Sequence, residues 1–338
     1  MPVPGWAEEV VHAGGSAYVV GWGSDNTGAL WHLDSVGRLD PRAAPPGMPG
    51  NPGMAPRGAV LLLAFGGAET GLAITGTSKD NGRRDRKALY VTDDGARSWT
   101  RVDLPTSEQP RQVAIGGGAA YALTSNCPAA TAPCDHATLW SIDPSGAAAP
   151  HTFDSLPART HTSGPIGITA YGPDVWALLN LGHGHVTALR SRDGGRTWHR
   201  FEAADCIWEV PVATSGNVLW ATCGTGMLDH STRQKGDAAP ADVFSDVAGT
   251  SDSALLPLSD STAYAVIDGS HGTRIEQTRD GGRTTTVVAP IPRPIARRGF
   301  RATFVSPRVG YLVTTNGGQV YRTADGAHTW HRLTPPHG

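Results

Sequence analysis

The sequence predicts an all-β fold built from many short strands, and three observations carry that expectation. The 338 residues include 43 glycines and 26 prolines, about one residue in five, and both break helix interiors. Apolar residues come in short runs. The longest clear one, Ala59 to Phe65, is well under the ~18 residues that cross a bilayer. The third observation is an internal repeat. Ten tryptophans and 39% hydrophobic residues exclude a disordered chain, and no Gly-X-Y period is present.

The repeat has four clear copies: Asp94-Gly-Ala-Arg-Ser-Trp99, Asp193-Gly-Gly-Arg-Thr-Trp198, Asp280-Gly-Gly-Arg-Thr-Thr285 and Asp325-Gly-Ala-His-Thr-Trp330. Each has Ser or Thr two residues before the Asp and stands between two short apolar strands. Its chemistry is that of a turn. The carboxylate accepts backbone N–H bonds, glycine permits positive φ, the hydroxyl adds a local bond, and the indole packs across the hairpin. A repeated acid serves a repeated structural need, so these aspartates read as turn staples rather than catalytic groups.

Taken in chain order, Glu9–His12, Ala17–Val20 and Leu30–Leu33 predict strands that end in a degenerate copy at Asp34. The Pro/Gly-rich stretch Ala43–Arg57 reads as a stiff connection. Ala59–Phe65 and the strand before Asp94 belong to the next unit, and Trp140-Ser-Ile-Asp143 marks another degenerate copy. Ile166–Ala170, Val175–Leu179, Val186–Arg190 and Trp198–Phe201 predict four strands around Asp193. Met227-Leu-Asp229 is a poor copy. The last unit reads as Ala302–Val305, Gly310–Thr314, Gln319–Arg322 and Trp330–Leu333. The aspartates at 34, 94, 143, 193, 229, 280 and 325 are about 48 residues apart on average. That period suits a single-domain β-propeller over residues 1–338 with seven four-stranded blades. Without Asp229, six blades and a large insertion remain. Both ends look complete, so ring closure needs no shared strand.

The motif resembles the Asp-box, or bacterial neuraminidase repeat, of sialidase-like β-propellers. That resemblance makes Asp94, Trp99, Asp143, Asp193, Trp198, Asp280, Asp325 and Trp330 structural and places a ligand on the opposite face. The sialidase pattern itself is not followed. The nearest Phe-Arg, Phe300-Arg301, lies near the wrong end, no Arg precedes Arg38, and neither Tyr264 nor Tyr311 sits in a nucleophile pattern. In length the chain is similar to the non-catalytic propellers related to photosystem assembly factors.

A net charge of −2 argues against a nucleic-acid binder. Four cysteines fall into two locally pairable sets, Cys127 with Cys134 and Cys206 with Cys223, the second flanking a turn at Ser215-Gly216-Asn217. They read as two disulfides of an exported bacterial protein whose leader is not in this chain, with four free thiols or a zinc site as alternatives. A monomer is expected.

Two basic runs should share the face opposite the aspartates: Arg83, Arg84 and Arg86, and Arg293, Arg297, Arg298 and Arg301. Arginine holds carboxylates and phosphates bidentately, so this rim would bind an anionic partner. His183 and His185 alternate on an extended segment and, with His271, form a weak metal candidate, although no cofactor is expected. Carboxylates are scarce in the same loops: Asp25, Asp80, Asp85, Glu108, Asp135, Asp205 and Asp268. The sequence therefore favours a binding scaffold for a protein or an anionic or carbohydrate ligand. A sialidase-like glycoside hydrolase or polysaccharide lyase is the alternative.

Overall fold

A computed structural model describes residues 6–50, 59–77, 86–104, 108–125, 137–152, 164–180, 186–201, 207–208, 212–215, 217–224, 229–235, 241–244, 255–269, 272–292, 295, 300–314 and 318–333. Among them the strands form seven antiparallel sheets, each a simple meander in chain order. Sheet 1 holds β1 (Trp6–Ala13), β2 (Ser16–Trp22), β3 (Gly28–Leu33) and β4 (Leu39–Arg42). Sheet 2 holds β5 (Ala59–Phe65), β6 (Gly71–Thr77), β7 (Arg86–Thr92) and β8 (Thr100–Val102). Sheet 3 holds β9 (Gln109–Gly116), β10 (Ala119–Ser125), β11 (Ala137–Ile142) and β12 (Ala148–Thr152). Sheet 4 holds β13 (Gly164–Tyr171), β14 (Asp174–Asn180), β15 (Val186–Ser191) and β16 (His199–Phe201).

In sheet 5 the first strand is split into β17 (Ile207–Trp208) and β18 (Val212–Ser215), both paired with β19 (Val218–Gly224) and followed by β20 (Asp229–Lys235) and β21 (Ala241–Phe244). Sheet 6 holds β22 (Leu255–Pro257), β23 (Ala263–Gly269), β24 (Gly272–Thr278) and β25 (Thr286–Pro290). Sheet 7 holds β26 (Phe300–Phe304), β27 (Gly310–Thr314), β28 (Val320–Thr323) and β29 (His331–Arg332).

Asp229 does not close a strand, as the repeat spacing implied. It opens β20, opposite Gly224. The aspartate therefore falls at the end of the sheet where the second strand gives way to the third, opposite the end where the third gives way to the fourth. Sheet 5 is present, but Asp229 does not mark the turn between its third and fourth strands.

The core lies between the sheets. Tyr18, Val20 and Leu30 of sheet 1 pack on Phe65 and Ala96 of sheet 2. Leu72 and Val91 of sheet 2 pack on Trp140 and Ile142 of sheet 3. Ala7, Val19 and Trp31 of sheet 1 pack on Tyr311 and Val313 of sheet 7, so the first and last sheets close the ring through side chains. Alternation along each strand supplies one apolar row to each neighbour.

A polar clasp recurs at these junctions. The second strand of most sheets carries an early aromatic residue whose tip donates to a turn carbonyl of the next sheet. Tyr18 reaches Ala68 O at 2.8 Å, Tyr121 reaches Gly172 O at 3.3 Å, and Tyr264 reaches Pro307 O at 2.7 Å. Trp220 reaches Ser259 O at 3.2 Å, and Tyr311 reaches Asp34 O at 2.5 Å, across the closure. In two sheets the residue directly opposite is an arginine that takes the adjacent carbonyl. Arg233 binds Asp260 O at 2.7 Å, and Arg322 binds Ser35 O at 2.8 Å. Sheet 7 thus meets sheet 1 as sheet 5 meets sheet 6. Burial of these phenols raises their pKa, that of Tyr18 to about 12, which keeps them donors.

Candidate functional site

One end of the molecule carries the turns between the third and fourth strands, and there the aspartates are fully engaged. Asp94 Oδ1 accepts from the amides of Arg97 (2.9 Å) and Ser98 (3.0 Å), and Oδ2 accepts from Ser98 Oγ (2.7 Å). Thr92 Oγ1 donates to the same carboxylate and accepts from Ala96 N. The same arrangement recurs at Asp193 with Thr197 and Ser191, at Asp280 with Thr284 and Thr278, and at Asp325 with Thr329 and Thr323.

The residue two after each Asp has positive φ. It is glycine at 195 and 282 but alanine at 96 and 327, whose methyl groups are fully buried and so offset the strain. Trp99 Nε1 donates to Ala43 O at 2.7 Å, and Trp99 and Trp330 meet Phe65 and Phe304 edge-on. Trp198 is buried. Asp34 and Asp143 make a shorter turn, accepting from the amides of residues +2 and +4.

These hydrogen bonds hold Asp94, Asp193, Asp280 and Asp325 at about 2. A carboxylate with a depressed folded pKa stabilises the fold above its unfolded value of ~3.9 and loses that contribution as pH falls towards the folded value. Acid titration should therefore show the melting temperature falling between about pH 4 and pH 2. A fourfold Asp→Asn variant should show a smaller drop, the remainder coming from other depressed carboxylates such as Asp25 and Asp143, and an unchanged drop would contradict the assignment.

The innermost strands β1, β5, β9, β13, β18, β22 and β26 surround a central channel of about 580 Å³. Its wall is largely apolar, with Glu9 and His12 as its ionisable groups among the described residues. His12 opens onto the channel, yet the surrounding strands shed water from it and lower its pKa.

Opposite the aspartate turns, three inner strands begin with a β-bulge. The bulged residues are Glu8 in β1, Arg111 in β9 and Ile166 in β13. Arg111 donates through Nε to Ser125 Oγ at 3.1 Å. Gly21 faces the first bulge because a Cβ there would lie 1.9 Å from Trp6 O. Beside Glu8 stands Arg301 on β26, and the guanidinium counters the burial that raises the Glu8 pKa. Trp6 and Trp22, register partners at the same strand ends, stack at 5.8 Å between centroids and 12° between planes.

Of the sequence candidates, Arg301 is half-buried at this mouth. Arg83, Arg84, Arg293, Arg297, Arg298, His183, His185, His271, Cys127, Cys134 and Cys206 lie outside the described residues, as do the side chains of Arg86 and Cys223. The backbone of Cys223 pairs with Trp208. Glu108 accepts from Thr124 and Thr138, and Asp25 from Thr27, so both are occupied by local bonds. Trp176 and Trp220 are core residues, whereas Trp22 is half-buried. Trp6, Glu8, His12 and Arg111 were not singled out from sequence. Gly21, isolated within a strand, was the available signal for the bulge.

Sheets stacked around a shared channel make the chain a β-propeller. No family profile and no curated protein matches it in sequence. Solved structures do match in fold. YCF48 bound to D1 peptide is 17% identical, covers 82% of this chain and 82% of its own, and has a TM-score of 0.53. A GH74 enzyme from Niastella koreensis is 12% identical with a TM-score of 0.63, matching 98% of this chain and 54% of its own, so this chain spans about half its length. A PL25 ulvan lyase is 10% identical, matching 98% of this chain and 96% of its own, with a TM-score of 0.58. At such identities the likeness is one of fold. No helix among the described residues is long and apolar enough to cross a membrane.

Proposed function

We propose that this chain is an exported, single-domain Asp-box propeller that acts as a binding scaffold, holding an anionic ligand or partner on the face opposite the aspartate turns. The observation that carries this reading is how the two faces use their polar groups. On one face the repeated carboxylates are consumed by their own turns. At the other, inner strands open with bulges: one sets Glu8 beside Arg301 at the strand end that carries the Trp6–Trp22 stack, and another carries Arg111 on β9. Bulges concentrate at rims and next to functional sites.

Among the fold neighbours, YCF48 carries a bound peptide, and the GH74 and PL25 proteins are enzymes. Fold does not choose between them. Glu9 and His12 in the channel keep a lyase or hydrolase as the second reading. The test is a screen of acidic peptides and acidic oligosaccharides, followed by hydrogen-exchange mapping of any that bind. Protection should fall on the opening residues of β1, β9 and β26. Protection confined to residues 92–99 and their three equivalents would refute the reading, and release of shortened saccharides would favour the enzyme.

A further inference from the structure

We propose that Arg301, Trp6 and Trp22 form a subsite for a carboxylate-bearing sugar ring, whose carboxylate takes Arg301 from Glu8. The inference rests on the binding-scaffold reading and names its ligand class. Three features meet at the junction of sheets 1 and 7. First, Arg301 makes no hydrogen bond or close ion pair with the described residues, and its charge is felt by Glu8. A half-buried guanidinium without such bonds keeps its planar fork of donors for an incoming carboxylate.

Second, the tryptophans belong to the same corner. A Cβ on Gly318 would lie 3.0 Å from Trp6 Cα, and the Gly318 amide donates to Thr314 O. Thr314 pairs with Phe300, the residue before Arg301. Both indoles are half-buried and nearly parallel, so the pair offers a flat, partly bare apolar surface. A pyranose has a flat C–H face, whereas an extended acidic peptide has no comparable plane, and this favours the sugar.

Third, the bulge that places Glu8 beside Arg301 is built in, since Gly21 alone fits opposite it. The charged groups near Glu8 are few. β1 adds Glu9 and His12, β26 adds Arg301, and β2, β5 and β27, which also pack on β1, contain no Asp, Glu, Lys, Arg or His. When the ligand neutralises Arg301, Glu8 loses its counter-charge and takes up a proton more readily. Binding is then linked to proton uptake and strengthens on mild acidification.

Calorimetry with an oligogalacturonide and its neutral galactose counterpart tests this, run from about pH 7 to about pH 5, where the ligand stays charged. The acidic oligomer should bind and the neutral one should not. Arg301→Ala should weaken binding at least tenfold, and Trp22→Ala likewise. Glu8→Gln should tighten binding near pH 7 and flatten its pH dependence. Thermal melts of each variant separate lost binding from lost folding, and Arg301→Lys, which keeps the charge but not the fork, should weaken binding while melting like the parent. Equal binding of the neutral sugar, tighter binding of poly-glutamate, or an unchanged Arg301→Ala affinity overturns the subsite. An exchange footprint elsewhere on the same face removes this subsite but leaves the scaffold reading. A footprint on the aspartate turns removes both.

Discussion

Replacing Trp220 by alanine is expected to destabilise the fold by about 3–5 kcal/mol, the range for deleting a large buried aromatic side chain. The residue is fully buried and packs within a cluster that joins sheet 5 to sheet 6 through Phe244, Leu255 and Ile267. Its indole N–H is also half of the clasp on the Ser259–Asp260 turn, and Arg233, which takes the other carbonyl, lies 5.6 Å over the ring. Truncation therefore opens a cavity, leaves Ser259 O without this donor, and removes the surface that orients Arg233. Trp220→Phe separates these effects. It keeps most of the packing and drops the N–H, so it should cost about 1–2 kcal/mol beyond the packing change. Urea denaturation followed by far-ultraviolet circular dichroism reads both. A loss under about 1 kcal/mol for the alanine variant would show that the clasp does not couple the two sheets.

The clasp also shows what a single sequence can and cannot disclose. Tyr18, Tyr121, Trp220, Tyr264 and Tyr311 all stand early in a second strand, so their recurrence is written in the chain. The carbonyl each one meets is not, because it belongs to a turn some 40–50 residues away, except across the closure, where Tyr311 meets Asp34. The aspartate turns were legible because every partner of the carboxylate lies within four residues of it. Asp229 misled for the same reason: local sequence suggested a turn, but strand pairing with Gly224 decided its position.

The mouth was the hardest part to read. Arg301 could be nominated from charge, but Glu8 is one of two adjacent glutamates, and only a bulge distinguishes it from Glu9. A bulge depends on how two strands register, and its faint trace in sequence is a glycine between Val20 and Trp22.

A second large effect is expected at the contact between sheets 3 and 4. There the backbone of one sheet touches the backbone of the next. The Gly172 amide donates to Gly116 O at 2.7 Å, and a Cβ on Gly116 would lie 2.0 Å from Ala170 O. No rotamer relieves that overlap, because the obstructing atom is a carbonyl fixed within β13. Gly116→Val must therefore push the two sheets apart, loosening the cluster of Ala114, Tyr121 and Leu139 against Ile168 and Trp198 and stretching the Tyr121–Gly172 bond. The expected cost is about 3 kcal/mol, at the upper end for overpacking. Gly118→Ala is the control. It lies two residues on with positive φ, but nothing stands within 4 Å of its added Cβ, so only backbone strain of about 1 kcal/mol is expected. If the two variants unfold at the same urea concentration, the sheets are not in backbone contact at Gly116. If Gly116→Val alone is displaced, the spacing of neighbouring sheets around the channel is set there by the absence of a side chain.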